Sequence, residues 1–318
     1  MSFDSSVFSK KALDEAHKRI QPYIHRTPTL TSSAINKMAG CEIVFKCENF
    51  QKIGAFKMRG GANVILQLTD AQKQNGVVTH SSGNHAQAVA RGAQLNNIPS
   101  YIVMPSNAPK VKVKAVEGYG GKITFCEPTQ EARVIVAEEI EKETGATFIH
   151  PYNNENIILG QATVAKEFFE KHNDLNLLIT PIGGGGLLSG SILSRNYYSP
   201  NCQIYGSEPE GANGAELSIK QSKLTIHPNP TSIADGLLAS LGDITFSVIQ
   251  HQIEEVLLVS ENEIKSAMRL IWERMKIVVE PSSAVPLAAI LKNKTLFKNK
   301  KVGVIVTGGN VDLGQLPF

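Results

Sequence analysis

The feature that most constrains the fold is an alternation of short β-rich runs with segments of helical periodicity. The β-rich runs are apolar and contain several β-branched residues; they span residues 77–80, 100–105, 122–126, 175–182, 202–208 and 302–307. Strands that alternate with helices are typical of a mostly parallel sheet. The chain is therefore predicted to have an α/β fold.

One helix start is explicit in the sequence. Ser260 and Glu263 have the spacing of a capping box, in which each side chain satisfies a free backbone N–H of the other residue. Apolar residues follow at the spacing of one helix face: Ile264, Met268, Ile271 and Met275. We expect a helix that packs on the core.

Composition limits the classes of protein. A chain of 318 residues with 42% hydrophobic and 19% charged residues is an ordinary globular chain, with two domains expected and one large domain as the alternative. The net charge of +3 includes no basic block, so we expect no nucleic-acid partner.

The first twenty residues, the apolar runs and the cysteines indicate the cellular compartment. Charged residues interrupt the first twenty positions, and no apolar run is long enough to span a membrane, so neither a signal peptide nor a membrane segment is predicted. The four cysteines show neither metal-ligand spacing nor disulfide density. We expect reduced thiols and a cytoplasmic protein.

A run of four glycines, Gly183 to Gly186, follows an apolar run and precedes a segment of helical pattern. Glycine lets backbone amides approach an anion closely, and a helix N-terminus carries a partial positive charge. The run therefore predicts a phosphate-binding turn, although a flexible turn without a ligand would share this composition.

Two nucleotide-binding motifs fit this turn poorly. A P-loop requires a lysine and a serine or threonine after its last glycine, whereas Leu187 and Leu188 follow here. The G-x-G-x-x-G fingerprint would place its third glycine at Leu188 or Ser189. Glu208 nevertheless lies about 20 residues on, where a ribose-binding acid would stand. Nucleotide hydrolysis is disfavoured, and a nicotinamide-dependent oxidoreductase is kept as an alternative.

Two other polar turns follow apolar runs in the same way, at residues 80–85 (HSSGNH) and 307–310 (TGGN). Taken alone, such residues are typical of a simple N-cap. Ligands of open α/β sheets bind beyond the carboxyl ends of the strands, so three such turns can meet at one crevice. Lys57 lies in a fourth segment, the glycine-containing residues 54–61, where a lone lysine would ordinarily be a solvated surface charge.

Together these segments resemble the fold type II pyridoxal-phosphate enzymes, specifically the serine racemase and serine/threonine dehydratase family. Six motifs occur in the family's order along nearly the whole chain: FQKIGAFKMRG, THSSGNHAQA, PIGGGGLLSG, IADG, VEPSSA and VTGGNVDL. The resemblance implies a tryptophan synthase β-like fold with two open α/β domains and the cofactor in the cleft between them. It also implies a homodimer, with a large domain of residues 1–68 and 148–318 and a small domain of residues 69–147.

The resemblance further implies roles for individual residues. Lys57 would form the Schiff base with pyridoxal 5'-phosphate and would be a catalytic residue together with Ser82. The other cofactor contacts would come from Phe56, Asn84, Gly183, Gly184, Gly185, Gly186, Glu280 and Thr307. The substrate carboxylate would be bound by Ser81, Ser82, Gly83 and His85. Arg133 is a further candidate for that carboxylate, although a surface charge is its ordinary interpretation.

Two other sites of the family are matched less completely. Its metal site corresponds to Glu208 and the carbonyl of Ala212, but Gly214 stands where the family has a second acid. Oxygen sites for Mg²⁺ weaken as carboxylates are lost, and Glu208 is equally typical of a solvated acid at a strand end. Positions near the nucleotide effector site of mammalian serine racemases correspond to Lys52, Gln87, Lys276 and Asn310, and Lys276 is equally typical of a charge at a helix C-terminus.

The expected activity is dehydration and racemisation of hydroxy amino acids. Lys57 would remove the Cα proton, and loss of the β hydroxyl would then yield a keto acid and ammonia. Ser82 would return a proton to the opposite face in racemisation. Thr307, a neutral partner for the pyridine nitrogen, would moderate the electron sink and suppress transamination. The sequence does not rank serine, threonine and threo-3-hydroxyaspartate, so a hydroxyaspartate ammonia-lyase is an alternative, as is a catalytically silent binding protein.

Overall fold

The computed structural model describes residues 7–81, 83–108 and 110–318. Within these ranges, ten strands form two sheets: β1 (Thr29–Thr31), β2 (Glu42–Cys47), β3 (Val77–His80), β4 (Ser100–Pro105), β5 (Lys122–Cys126), β6 (Thr147–Phe148), β7 (Leu177–Pro181), β8 (Gln203–Pro209), β9 (Val256–Val259) and β10 (Lys301–Val306). Each of the six predicted runs coincides with one of these strands to within two residues at either end.

The helices that cover the sheets are α1 (Lys10–Ile20), α2 (Ser33–Ala39), α3 (Lys57–Ile65), α4 (Asp70–Asn75), α5 (Asn84–Leu95), α6 (Lys110–Gly118), α7 (Gln130–Thr144), α8 (Glu155–Lys171), α9 (Gly186–Tyr198), α10 (Gly214–Lys220), α11 (Asp243–Ile249), α12 (Glu261–Met275), α13 (Pro281–Lys292) and α14 (Lys294–Phe297). The predicted capping box opens α12, where Ser260 and Glu263 exchange hydrogen bonds. Among the described helices, none is both long and apolar enough to cross a membrane.

The two sheets are almost entirely parallel. The larger has the strand order β1-β2-β10-β7-β8-β9, and only the edge pair β1 and β2 is antiparallel. The smaller has the order β5-β4-β3-β6, with every pair parallel. This topology confirms the predicted α/β fold. The strands of the smaller sheet lie between residues 77 and 148, and the exact domain bounds stay a prediction.

The larger sheet is buried on both faces. Along β2, Ile43 and Phe45 pack into an apolar cluster with residues of α12 and α13. Val44, which points to the opposite face, packs into a second cluster with residues of α8 and α9. Because helices cover both faces, the ends of the strands are the places where this sheet meets a ligand.

Helix α8 approaches α3 and α9 at backbone distance. A Cβ atom added at Gly160 would lie 2.6 Å from the Cα of Gly60 and 2.7 Å from the carbonyl oxygen of Arg59. A Cβ atom added at Gly190 would lie 2.6 Å from the backbone nitrogen of Ala162. Since α3 begins with Lys57 and α9 begins with Gly186, α8 sets the separation of these two helix starts.

Replacing Gly160 with alanine tests this packing. The new methyl group has no free space against the backbone of α3, so we expect the free energy of unfolding to fall by about 1–3 kcal/mol in urea titrations. Gly118→Ala is the matched control, because a Cβ atom there meets no heavy atom within 4 Å. Equal unfolding free energies for the two variants would show that α3 and α8 have room to separate.

Candidate active site

Strand ends of both sheets open on one cleft of about 1510 Å³. His80 and Phe148 line it from the smaller sheet, and Pro181 and Thr307 line it from the larger one. The three polar turns predicted from the sequence therefore meet at a single site.

Lys57 is fixed at this cleft by its backbone neighbours. The N–H of Phe56 donates to the carbonyl oxygen of Thr307 at 3.0 Å, and the N–H of Gly309 donates to that of Gly54 at 2.9 Å. These bonds tie the start of α3 to the end of β10. The Lys57 Nζ atom donates to the Pro151 carbonyl oxygen at 2.8 Å and lies 5.3 Å from the centre of the Phe56 ring.

The cleft changes the ionisation of this lysine. Burial lowers the pKa of Lys57 to about 8, although the nearby Glu280 carboxylate opposes this shift. Removing a charged group from water favours its neutral form, so the neutral amine is far more abundant at neutral pH than for an ordinary lysine. An amine in this state can act as a nucleophile or a base.

A chain of amides and a carboxyl group lies beside Lys57. Asn310 Nδ2 donates to the Asn84 Oδ1 atom and to the Ile53 carbonyl oxygen, both at 2.8 Å. The Asn84 Nδ2 atom in turn donates to Glu280 at 2.9 and 3.1 Å. Burial raises the pKa of Glu280 to about 7, with a further contribution from Asp235. This series of hydrogen bonds fixes the orientation of the Asn84 amide.

The four-glycine turn has the shape of a phosphate cradle. Gly185 adopts a left-handed conformation (φ 85°) directly before the thirteen-residue helix α9. A Cβ atom at Gly184 would collide with the Tyr152 ring, and one at Gly183 would lie 2.9 Å from the carbonyl oxygen of Gly236. Glycine alone permits this approach, and a helix N-terminus favours an anion. The turn and Lys57 fit a cofactor that carries both a phosphate and an aldehyde.

Thr307 is buried and directly follows β10. Its Oγ1 atom is 2.9 Å from the Ser283 Oγ atom, which also accepts the Gly308 N–H at 2.8 Å. A hydroxyl group stays uncharged at neutral pH. A pyridine nitrogen at this position would therefore meet a neutral partner rather than a carboxylate.

Three of the residues predicted for the substrate carboxylate, Ser81, Gly83 and His85, line the same cleft. The Ser81 Oγ atom accepts the Gly83 N–H at 3.2 Å. His85 is buried with its Nε2 atom 3.1 Å from the Ile149 carbonyl oxygen, and burial together with the charge of Lys57 holds its pKa well below the ordinary value. Ser82 lies outside the described residues. The described part of this turn therefore offers neutral hydrogen-bonding groups.

Arg133 lines the cleft from helix α7. Its Nε atom is buried without a hydrogen-bond partner in the described part of the chain. By contrast, the other cleft cation on this side, Lys112, pairs with Asp235. Arg133 thus presents a positive charge that no carboxylate of the described residues satisfies.

The predicted metal site has a poor set of donors. Glu208 is buried rather than solvated, and its Oε1 and Oε2 atoms accept the N–H groups of Ala215 at 3.0 Å and Glu216 at 2.9 Å. Ala212 ends a short 3-10 turn, and Gly214 contributes no side chain. The described residues contain no group of three His, Cys, Asp or Glu side chains able to hold a metal ion. A hard cation needs more oxygens, so these residues do not fit Mg²⁺.

The residues matched to a nucleotide effector site have structural roles. Gln87 is buried on α5, and both amide contacts of Asn310 are made within the chain. Lys276 caps the C-terminus of α12 in a left-handed conformation (φ 58°), and Lys52 opens a 3-10 turn. A nucleotide effector stays a prediction.

The sequence did not point to the segment of His150, Pro151 and Tyr152. His150 Nδ1 accepts the N–H groups of Asn153 at 2.9 Å and Tyr152 at 3.3 Å, and burial lowers the pKa of His150 to about 4. This turn presents the Pro151 carbonyl oxygen to Lys57. It follows the two-residue strand β6, which is too short to leave a periodic signal.

Comparison with known proteins agrees with this geometry. Residues 20–308 match the family model described as pyridoxal-phosphate dependent enzyme. A β-hydroxyaspartate dehydratase of Paracoccus denitrificans is 48% identical, with 95% of this chain and 96% of the relative covered. A serine racemase of Dictyostelium discoideum is 47% identical, with 96% of each chain covered.

The fold agrees as well. The structure of maize serine racemase superposes with a TM-score of 0.94 at 44% identity, covering 99% of this chain and 95% of that one. The family match also removes the support for a nicotinamide-dependent enzyme, whose fingerprint the glycine turn lacked. This chain, which has a lysine with a pKa lowered by burial and a glycine cradle before a helix, belongs to the pyridoxal-phosphate dependent enzymes and has their fold type II architecture.

Proposed function

We propose that the chain is an ammonia-lyase and racemase of small hydroxy amino acids, with serine and threonine as the leading candidate substrates. The observation that carries the proposal is the Lys57 amine, whose pKa of about 8 gives it a substantial neutral fraction near physiological pH and which faces the cleft that holds the glycine turn. A β-hydroxyaspartate dehydratase and a serine racemase are among the relatives, which supports both elimination and racemisation.

The cofactor would be held by the residues that line the cleft. Lys57 would bind it covalently, residues 183–186 would hold its phosphate, and Phe56 would lie against its ring. Asn84 and Glu280 would lie near its phenolic oxygen, and Thr307 near its pyridine nitrogen. When bound, pyridoxal phosphate supplies an electron-accepting ring that makes the substrate Cα–H bond acidic.

Lys57 is the base in this proposal. Its Nζ atom takes the Cα proton as a neutral amine, and the Pro151 carbonyl oxygen accepts a hydrogen bond from it. Residues 81 to 85 hold the substrate carboxylate with neutral groups. The β hydroxyl leaves as water and a second water releases the nitrogen, so one hydroxy amino acid yields one keto acid and one ammonia without an oxidant. The poor donor set at Glu208 leaves no step for a divalent cation.

A second candidate substrate is threo-3-hydroxyaspartate. Arg133 places at the cleft a cation that has no carboxylate partner among the described residues. Serine and threonine have only the one carboxylate that residues 81 to 85 would bind. A substrate with a second carboxylate would satisfy that charge. The β-hydroxyaspartate dehydratase among the relatives adds support.

Three further features are proposed from the family resemblance. The chain would form a homodimer in the cytoplasm, and residues 69–147 would form a small domain inserted into a larger one. The placement of the four-stranded sheet between residues 77 and 148 supports this division.

Incubation with L-serine, D-serine, L-threonine and threo-3-hydroxyaspartate tests the activity. We expect keto acid from at least one L-substrate and interconversion of the serine enantiomers, both followed by chiral chromatography. Lys57→Ala should lose the covalently held cofactor and nearly all turnover, because the covalent link and the base are removed together. Parallel reactions with a chelator should proceed at the same rate. Normal turnover by Lys57→Ala would refute the site.

Glu280→Gln tests the electrostatics around Lys57. Reloading of pyridoxal phosphate onto cofactor-free protein requires the neutral amine, so its rate in the wild type should rise with pH around a midpoint of about 8. The Glu280 carboxylate stabilises the ammonium form, and its removal should move the midpoint to lower pH. Glu138→Gln, an exposed acid at the same cleft, is the control. An unchanged or higher midpoint in Glu280→Gln would contradict the assigned interaction.

Ser82→Ala separates the two reactions. Elimination from an L-substrate needs only Lys57 as a base, whereas inversion needs a proton donor on the other face. The variant should therefore keep part of the L-serine dehydratase activity while racemisation and D-serine elimination disappear, as measured by keto acid and enantiomer assays on one sample. Interconversion at the wild-type rate would assign the second proton to another group.

A further inference from the structure

A buried cluster of four charged side chains has no part in the proposed reaction. Lys46, Glu48, Arg59 and Glu167 are each at most 3% exposed, and Arg59 is completely buried. The two cations and two carboxylates balance, so the cluster is neutral as a whole. Its position matters because Arg59 lies only two residues after Lys57 in helix α3.

Arg59 uses its whole guanidinium group. Its Nε and Nη2 atoms donate to the two Glu48 oxygens at 2.8 and 2.9 Å, and its Nη1 and Nη2 atoms donate to the two Glu167 oxygens at 2.9 Å each. Nη1 also donates to the Thr163 hydroxyl at 3.2 Å. The planar guanidinium group is therefore hydrogen-bonded on two sides, by the Glu48 carboxylate that follows β2 and by the Glu167 carboxylate of α8.

The rest of the cluster holds those carboxylates in place. Lys46 Nζ donates to Glu167 at 2.7 Å and to the Thr27 carbonyl oxygen at 2.9 Å. The Thr27 hydroxyl donates to Glu48, and His17 of α1 lies 3.3 Å from Glu167. The anchor points of Arg59 are thus fixed by elements other than α3.

Stability alone is a weak reason for such a cluster. Taking charges out of water costs several kcal/mol for each ion, and well-packed apolar replacements of buried ion pairs are often neutral or stabilising. A bidentate pair adds geometric definition, however, because it is broken by a small rotation. Orientation is therefore the property that this arrangement supplies best.

Helix α3 needs an orienting contact on the side away from the cleft. Successive helix residues are rotated by about 100°, so Arg59 lies on nearly the opposite face from Lys57. The next two residues, Gly60 and Gly61, meet α8 and α5 with backbone only. The flat surface at these glycines lets the helices approach closely but does not fix the rotation of α3 about its axis. The Arg59 contacts fix this rotation in the first turn of α3. One turn later, the Asn63 side chain accepts from Arg19 and donates to the Asn156 carbonyl oxygen.

We propose that Arg59 is a positioning residue, whose guanidinium group between Glu48 and Glu167 sets the rotation of α3 and thereby directs the Lys57 amine into the cleft. The effect on turnover rests on the proposed function, while the effect on covalent cofactor binding does not. Misplacement of a reacting group by about 1 Å costs on the order of 100-fold in rate. Arg59→Lys would keep the charge but lose the forked pair of hydrogen bonds.

The test compares Arg59→Lys with Lys46→Met. Both change a buried cation of the cluster, but only the first removes the forked contacts of the helix that carries Lys57. Lys46→Met leaves both carboxylates in place for the Arg59 bonds. Each variant is assayed as holoenzyme well below its melting temperature, for kcat and KM with L-serine, the visible absorbance of the bound cofactor and the fraction fixed on Lys57 by borohydride. Glu48→Gln weakens one of the two carboxylate contacts of Arg59 with almost no change in side-chain shape. It replaces Arg59→Lys in the test if that variant does not fold.

We expect Arg59→Lys to lower kcat by about 10–100-fold with little change in KM, and to reduce the borohydride-fixed fraction and alter the absorbance. Lys46→Met should lose at least as much melting temperature while keeping the wild-type absorbance and a kcat near that of the wild type. Glu48→Gln should follow Arg59→Lys with a smaller effect.

Two results would overturn the proposal. The first is that folded Arg59→Lys and Glu48→Gln keep the wild-type kcat and absorbance. The second is that Lys46→Met loses as much kcat and absorbance as Arg59→Lys, which would assign the cluster to stability alone. If the wild type itself turns over no substrate, the proposed function fails, but absorbance and borohydride fixation still decide the role of Arg59.

Discussion

The site depends on the close packing of helix α8 between α3 and α9. Gly60 and Gly160 let α3 meet α8 without intervening side chains, and Gly190 does the same for α9. Because Lys57 begins one outer helix and the glycine turn begins the other, backbone contact rather than deformable side chains sets their separation. A cofactor bound at one end by a covalent bond and at the other by a phosphate has a fixed length, so this spacing is a requirement of binding.

Burial of the cleft side chains away from water shifts their pKa values. It holds Lys57 and the cleft histidines His85 and His150 toward their neutral forms and raises the pKa of Glu280 toward neutrality. The formal charge in the cleft is therefore small where the cofactor would bind. A site of this kind lets a proton move between neutral partners. In the proposed reaction, the charge of Arg133, which no carboxylate of the described residues pairs with, would act on the substrate.

Much of this architecture follows from the sequence because its signals are local. The alternation of strands and helices, the capping box at Ser260 and the glycine turn at 183–186 each depend on neighbouring residues. Strand β2 was not predicted, since its buried Lys46 interrupts the apolar pattern and finds its partner Glu167 121 residues away. The carbonyl of Pro151 and the burial of Glu208 were missed for the same reason, because backbone groups and long-range contacts leave no mark on composition.

The hydrogen bond from Lys57 to Pro151 joins two parts of the molecule that are built separately. Lys57 is tied to the end of β10 in the six-stranded sheet by the bond from the Phe56 N–H to the Thr307 carbonyl oxygen, while Pro151 follows the edge strand of the four-stranded sheet. The carbonyl oxygen stays within reach of the amine only while the two sheets keep their present distance. Any widening of the cleft that admits or releases a ligand would lengthen this bond, so the hydrogen-bonding state of the base is coupled to the opening of the site.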